Sequence, residues 1–547
     1  MLVLGTLILI LSTFNLKTMK EVKEIYRMGM MLLMQMMVML YDSMHLDFMN
    51  NGLSMYNDMF MVTSYTKLME VLMFIMAMVY LYIMKEYTYN VNTMNKDNTL
   101  DNLKVNLFGN NPAKMLRGPM ELIILMTLNL FGMMLFMQWN NIMVMFVTLE
   151  LQSYTLYLIT TMFNKSYNST KSGLYYFLLG SVGSMFVLLG FTILYSETGL
   201  VNMSDIYQMY NNNTLLNNNI IFLSYLFILM GLFFKMGTAP FHNWLINIYA
   251  NTPTMITIWM SIIAKMSMLT VIYTLISNSS FIYNNNYVNL LSSNYIVYNI
   301  PLFLATISII SIMFGAMGGL GQFTIKRIIG YSGLVNSGYF MFVMLSNNNS
   351  TLSTYLFNIY QYSLTHMVWF VLMLVNGLYY SNTKTLNQLY TNNLRPRSSI
   401  NVPMEFVKDL YGYLFINPYL GFSYMVVLSS LIGIPPTTGF YAKYYVLLTG
   451  MNSSYLFMGM LVLLSSAMTI YYYIFIVKNL MVTDTNNNMK IINIWKNMYN
   501  KNYQNIKMTP MLSMVMSIII MMMMSMTVGL DMANNGTHMV EYYYMNK

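Results

Sequence analysis

Four ionisable residues lie inside apolar stretches of this 547-residue chain. Lys235 follows the uncharged run 220–230, Lys265 and Lys443 lie in two other apolar runs, and Glu150 lies in "FVTLELQSYTLYL". An ionisable group in a membrane is costly, so it usually faces the protein interior, pairs with another such group or marks an ion path. The four residues are therefore candidates for a proton relay.

A static Lys–Glu pair that fixes the register of two helices is the simpler interpretation of any one of these residues. One glutamate cannot neutralise three lysines, so at least one lysine is expected to be neutral or solvated. Burial disfavours the charged form of an amine, and an amine that loses its proton easily can load and release protons. The three lysines together therefore favour a relay.

Two histidines lie near these runs, and histidine exchanges protons near neutral pH. His242 lies just past Lys235 and could pass protons, although capping or packing of a helix end is an equal alternative. His366 lies inside a later apolar run, where a relay and a helix–helix hydrogen bond are both open interpretations.

Helix-breaking residues accompany two of the lysines. "KMGTAPFH" places Gly237 and Pro240 just beyond Lys235, and "IGIPPTTGFYAK" places a Pro–Pro pair just before Lys443. Proline removes a backbone donor, and the carbonyls that it frees inside a membrane must face protein or water. Interrupted helices in corresponding halves of a chain point to inverted repeats with the ion path at the breaks.

The composition indicates an all-α polytopic membrane protein. The chain is 57% hydrophobic and 8% charged, whereas soluble chains carry about 25% charged residues. Long apolar runs recur from end to end, as membrane-spanning helices require. We expect about fourteen spans, with the second short and the twelfth long and interrupted. They cover residues 1–16, 28–41, 66–84, 119–138, 141–163, 173–195, 220–241, 253–276, 296–318, 328–346, 352–380, 418–449, 455–477 and 509–530.

These spans divide the chain into four parts. Residues 1–118 form an N-terminal three-helix extension with a basic loop, and residues 478–547 form a basic loop with a C-terminal transmembrane helix. Residues 119–276 and 296–477 are expected to be two inverted five-helix repeats with broken helices.

Alternate loops carry nearly all the cations, so the basic loops fall on one face of the membrane. This is the positive-inside bias, and it places both termini on the opposite side. Most of the net charge of +9 is therefore explained by the orientation of the chain in the membrane, and the basic loops are expected to attract anionic lipid such as cardiolipin. Nucleic-acid binding has no support. Lys67, three residues before Glu70, is expected to be a snorkelling or paired residue, and Glu150 to be the only deep acid.

The chain contains 65 Met and 0 Cys. Methionine replaces isoleucine at many apolar positions, which suggests an AT-rich mitochondrial genome that reads an isoleucine codon as methionine; drift towards a flexible apolar residue is the alternative. Without cysteine the chain has no disulfide, thiolate metal site or cysteine-ligated iron–sulfur cluster. Redox chemistry of its own is unsupported.

Several long segments resemble one family. They are "NNIMVMFVTLELQSYTLYLI", "KSGLYYFLLGSVGSMFVLLGFTILYSETGLVNMSDI", "FKMGTAPFHNWLINIYANTPTMITIWMSIIAK", "IKRIIGYSGLVNSGYF" and "LIGIPPTTGFYAKYYVL". Together they resemble the chain 2 family of mitochondrial NADH–ubiquinone oxidoreductases, the antiporter-like membrane subunits of respiratory complex I. The resemblance covers roughly residues 115–480. The family often has a histidine at Asn336 and an acid at Asn247, so no titratable group is available at Asn336.

The resemblance implies roles for the relay residues. Glu150 pairs with Lys235 and tunes its proton affinity. Lys265 is the central relay of the first half-channel, Lys443 serves the second half-channel and the exit, and His242 links Lys235 to Lys265.

The resemblance also implies a proton-translocating core subunit of NADH:ubiquinone reductase with no redox site or cofactor of its own. FMN, iron–sulfur clusters and ubiquinone would belong to partner subunits, and the other membrane-arm subunits would be its partners. The basic loops would face the matrix of the mitochondrial inner membrane. Two alternatives stay open: a subunit of a multisubunit cation/proton antiporter, and a non-pumping structural subunit of the membrane arm.

Overall fold

The structure is a computed structural model. It describes residues 2–13, 19–44, 52–97, 112–163, 166–212, 218–278, 300–346, 351–388, 406–453, 455–482 and 512–524.

The N-terminal half consists of helices and one hairpin. Its helices are α1 Leu2–Thr13, α2 Met19–Met44, α3 Ser64–Asp97, α4 Pro112–Met137, α5 Ile142–Thr161, α6 Tyr167–Thr198, α7 Met203–Asn212, α8 Asn218–Met236, α9 Asn243–Asn251, α10 Thr254–Ser261 and α11 Ile263–Asn278. The hairpin strands are β1 Leu53–Met55 and β2 Phe60–Val62.

The C-terminal half is helical in its described residues. It contains α12 Ile300–Leu320, α13 Ile325–Leu345, α14 Thr351–Gln388, the 3-10 turn Val407–Leu410, α15 Tyr413–Ile416, α16 Pro418–Ile432, α17 Thr438–Asn452, α18 Leu456–Met481 and α19 Leu512–Met524.

Eight of the described helical segments are long and apolar enough to cross a membrane, and α8, α16 and α19 are shorter apolar helices. The prediction of a helical membrane protein is therefore confirmed. The count of fourteen stays a prediction, because residues 279–299 and most of the chain after 482 lie outside the described ranges.

Both predicted interruptions are present. The seventh predicted span breaks between α8 and α9, and the twelfth breaks between α16 and α17. Each break opens on a glycine in the left-handed region, Gly237 at φ 74° and Gly433 at φ 88°. A cis proline peptide follows three residues later in each, at Pro240 and Pro436. Left-handed backbone favours glycine because it has no Cβ, so both glycines end their helices in the same way.

The hairpin between α2 and α3 covers one end of the bundle. Its strands pair antiparallel with Leu53 opposite Val62. The Met61 N–H donates to the Gln138 carbonyl (2.7 Å), and the Asn140 N–H donates to the Met59 carbonyl (3.0 Å). The hairpin is thus joined by backbone hydrogen bonds to the connector between α4 and α5.

The centre of the bundle lies around α10 and α11. Within residues 254–277, every residue of the apolar 18-residue stretch is buried, and within residues 325–345 the buried share of such a stretch is 89%. By contrast, only 39% of the apolar stretch in α6 and 33% of the apolar stretch in α18 are buried. The polar residues of α10, α11 and α13 are therefore shielded from lipid, which is where an ion path must run.

Candidate functional site

Glu150 and Lys235 form a salt bridge between α5 and α8. The Lys235 Nζ lies 3.1 Å from the Glu150 Oε1, and the two side chains are only 4% and 16% exposed. The Ser153 hydroxyl donates to the other carboxylate oxygen at 3.2 Å. Lys235 lies in the last turn of α8, where the helix dipole favours a cation. The predicted pairing of these two residues is present in the structure.

A cavity joins Lys235 to Lys265. It has a volume of about 30 Å³ and is lined by both lysines together with Gln152, Ser153 and Tyr249. Gln152 is fully buried; its amide nitrogen donates to the Ser267 hydroxyl at 2.9 Å, and its amide oxygen has no partner among the described residues. The route between the two lysines therefore offers unused hydrogen-bonding capacity.

Lys265 lies in α11 between two tyrosines. Its Nζ is 5.9 Å from the ring centroid of Tyr249 and 5.8 Å from that of Tyr362, which is the geometry of cation–π contacts. Within the described part of the chain, Lys265 has no carboxylate at salt-bridge distance. Gly333 of α13 leaves the space for the amine, since a methyl group there would lie 3.3 Å from the Nζ.

A third helix break lies four residues before Lys265, where α10 ends at Ser261. The Tyr362 hydroxyl donates to the Ser261 carbonyl at 2.9 Å, and the Tyr249 hydroxyl donates to the Met260 carbonyl at 3.4 Å. The two tyrosines that flank Lys265 therefore also satisfy carbonyls at the break. The sequence contains no glycine or proline here, so the break could not be predicted.

His366 lies one turn beyond Tyr362 on α14. The Nδ1 is 3.1 Å from the Tyr362 carbonyl, and the Nε2 has no partner among the described residues. The helix–helix alternative is not supported by these contacts, because the Tyr362 carbonyl lies on the same helix. The free Nε2 leaves a relay role open. Further buried polar side chains on α14 are Asn358, Gln361, Ser363, Thr365 and Asn376.

Lys443 is held by the end of a broken helix. Its Nζ donates to the carbonyls of Ile432 (2.7 Å) and Leu431 (3.2 Å), which are the last two residues of α16. These carbonyls have no partner further along the helix, and the negative end of the helix dipole favours a cation. No salt bridge to Lys443 occurs within the described ranges. Two of the three deep lysines thus have no salt bridge to an acid among the described residues.

His242 does not line the cavity that joins Lys235 to Lys265. It lies at the N-terminal end of α9, is buried, and its ring centroid is 5.6 Å from that of Phe314. The structure places Gln152 and Tyr249 along this route instead. A link through His242 stays a prediction, and the packing alternative gains support from the Phe314 contact.

Two further ionisable residues are buried against expectation. Glu70 has 0% exposure although it lies near the start of its predicted span. The expectation that Glu150 is the only acid deep inside a span stays a prediction. Lys326, predicted in a basic loop, is 4% exposed and donates to the Thr252 carbonyl at the end of α9. Lys67 is also buried and donates to the Ser43 carbonyl at 3.3 Å. Charge position along a sequence does not reveal such tertiary packing.

The chain matches a family model described as "NADH:quinone oxidoreductase/Mrp antiporter, TM" over residues 140–469. It is 28% identical over 475 residues to NADH-ubiquinone oxidoreductase chain 2 of Rhizopus oryzae, covering 86% of this chain and 83% of that protein. It is 30% identical to NADH-ubiquinone oxidoreductase chain 2 of Candida albicans, covering 68% of each chain.

The fold is similar to a chain in the structure of respiratory complex I from Thermus thermophilus with bound aureothin. The TM-score is 0.69 at 18% identity, with 98% of this chain and 97% of that chain covered. At this identity the likeness concerns the fold alone. The matched region contains Glu150, Lys235, Lys265 and Lys443, and it excludes Glu70.

Proposed function

We propose that this chain is a proton-translocating membrane subunit of respiratory complex I. The premise is that the chain belongs to the NADH:quinone oxidoreductase/Mrp antiporter transmembrane family and, within it, to NADH–ubiquinone oxidoreductase chain 2. The observation that carries the proposal is one cavity lined by both Lys235 and Lys265, with Glu150 paired to Lys235.

The relay begins at the Glu150–Lys235 pair. An ammonium group that gives up its proton leaves the carboxylate without a partner, so the charge states of the two residues are coupled. Water in the cavity, held by a hydrogen bond to the amide oxygen of Gln152, can carry the proton onward to Lys265. Lys265 has aromatic rings and no described acid beside it. When it takes up a proton, no neighbouring described carboxylate therefore balances the new charge.

The second half of the path runs from Lys265 to Lys443. Tyr362 and His366 lie on α14, where the Tyr362 hydroxyl contacts the end of α10, and the Nε2 of His366, which has no partner among the described residues, can accept or donate a proton. Lys443 receives the charge at the carbonyl end of α16, where a cation is favoured. The matched breaks at Gly237 and Gly433 support the two inverted repeats, with a lysine at each break.

The redox reaction belongs to partner subunits that carry FMN, iron–sulfur clusters and ubiquinone, and this chain is coupled to it through the membrane arm. The basic loops face the mitochondrial matrix, and both termini face the intermembrane side. The alternative is a subunit of a cation/proton antiporter. Complex I is favoured because the match to a chain 2 relative covers 86% of this chain.

Purified complex reconstituted in vesicles, carrying Lys265→Ala, tests the proposal. The protons moved per NADH oxidised should fall while assembly is retained. Lys171→Ala is the control, because Lys171 is an exposed lysine of α6. A wild-type ratio in an assembled Lys265→Ala complex would contradict the relay, and absence of the chain from purified NADH-oxidising complex would favour the antiporter.

A further inference from the structure

Glu70 is a buried acid outside the path described above and outside the residues matched by the family model. It lies six residues into α3, about 9 Å below the start of the helix at a rise of 1.5 Å per residue. Its side chain has no exposed area. A carboxyl group at this depth needs either a counter-charge or a proton.

No cation lies at salt-bridge distance from Glu70 in the part of the chain that the structure describes. Lys67 lies one turn before Glu70, but its Nζ donates to the Ser43 carbonyl at 3.3 Å and forms no salt bridge with the carboxyl group. The elements packed against α3 are α2, α4, α10, α11 and α14. Their titratable residues at described positions include Tyr41, Asp42, Glu121, Tyr273 and Tyr355. Their described cations include Arg27, which pairs with Glu24, and Lys265, which lies between two tyrosine rings.

The hydrogen bonds of Glu70 fit a carboxylic acid. Gln138 donates its amide nitrogen to the Oε1, while the Oε2 is buried and has no partner among the described residues. A carboxylate would leave a charged oxygen without a donor, which is far more costly than a neutral hydroxyl in the same place.

The site lies directly beneath the β-hairpin. The Gln138 side chain contacts Glu70, and the Gln138 carbonyl accepts the hydrogen bond from the Met61 N–H of strand β2. The strands of the hairpin are three residues long and its turn is exposed. Separation of the hairpin from the connector breaks four hydrogen bonds, which are donated by the Met61 N–H, the Asn141 N–H, and the backbone and side chain of Asn140. That separation would bring water to Glu70.

We propose that Glu70 is a proton-binding site, which holds a proton as a neutral carboxylic acid and exchanges it with water on the hairpin side of the membrane. The exchanging reaction is loss of the carboxyl proton to water and its return. The site stands apart from the Glu150–Lys443 path and does not depend on it.

Infrared difference spectroscopy of the assembled complex tests this site, with wild type compared with Glu70→Gln. The glutamine keeps the shape of the side chain. We expect the wild-type spectrum to contain a carboxylic-acid carbonyl band that the variant lacks and that shifts in ²H₂O. Glu150→Gln is the control and should remove ionised carboxylate bands instead. Ionised carboxylate bands for Glu70, or an acid band that never shifts in ²H₂O, would contradict the proposal.

Carbodiimide labelling of the wild-type complex needs no variant, because carbodiimides react with protonated carboxyl groups. Mass spectrometry should find more adduct on the Glu70 peptide than on the Glu150 peptide, with less adduct as the pH is raised. Equal labelling of the two peptides, or labelling of Glu70 that is independent of pH, would overturn the assignment. Met61→Pro removes the donor to Gln138 and should speed ²H exchange at Glu70; an unchanged rate would exclude the hairpin route.

Discussion

Lys235 and Glu150 are joined by a 3.1 Å salt bridge, whereas Lys265, on the far side of the same cavity, faces the rings of Tyr249 and Tyr362. One cavity thus connects a lysine with an acid partner to a lysine without a described one. A proton that moves between them changes the charge at both ends, and this coupling is the basis of the predictions that follow.

Removal of one member of the Glu150–Lys235 pair should cost more than removal of both. Glu150→Gln leaves a buried ammonium group without its partner, and such losses are about 3–5 kcal/mol. We expect reduced thermal stability of the assembled complex in Glu150→Gln and partial recovery in Glu150→Gln with Lys235→Met. If the two effects simply add in a double-mutant cycle, the residues are not coupled as described.

Lys443→Met should leave the carbonyls of Leu431 and Ile432 without their donor. Each buried acceptor that loses its partner costs about 1–3 kcal/mol, so the break between α16 and α17 should be less stable. Proton pumping should fall, and protease sensitivity near the break should rise. Lys478→Met serves as the control because Lys478 is exposed at the end of α18; equal effects of the two variants would argue against this role.

Gly333→Ala should displace the amine of Lys265. The added methyl group would lie 3.3 Å from the Nζ, and the flexible end of the lysine would have to move. We expect lower proton pumping with normal assembly. Gly330→Ala, one helical turn earlier on α13, would place its methyl group no closer than 3.6 Å to any atom and should be neutral. Identical pumping ratios in both variants would show that the position of Lys265 is unimportant.

Tyr362→Phe keeps the ring beside Lys265 and removes the hydroxyl that donates to Ser261. The unpaired carbonyl costs about 1–3 kcal/mol. The helix geometry at the break between α10 and α11 should therefore change, and the pumping rate should fall. Tyr360→Phe is the matched control on the same helix, because among the described residues the Tyr360 hydroxyl has a single contact, 3.9 Å to a methionine sulfur. A normal rate in Tyr362→Phe would remove the hydroxyl from the mechanism.

The four relay candidates could be predicted from the sequence because a charge in an apolar run is conspicuous and its loop context gives its depth. Glycine and proline likewise predicted the breaks that Gly237 and Gly433 open. The break at Ser261 could not be predicted, since it depends on tyrosine hydroxyls from α9 and α14. The burial of Glu70 and Lys326 also depends on packing between distant segments.

The central claim is that Lys265 and Lys443 lie on one path in series. The most direct measurement is the number of protons moved per NADH oxidised by reconstituted complex carrying Lys265→Met, Lys443→Met or both. Loss of a proton-transfer group slows a step by about 10²–10⁴-fold, so either change should block the path. The account predicts equal, lowered ratios in all three variants. A further fall in the double variant, or a wild-type ratio in either single variant, would contradict it.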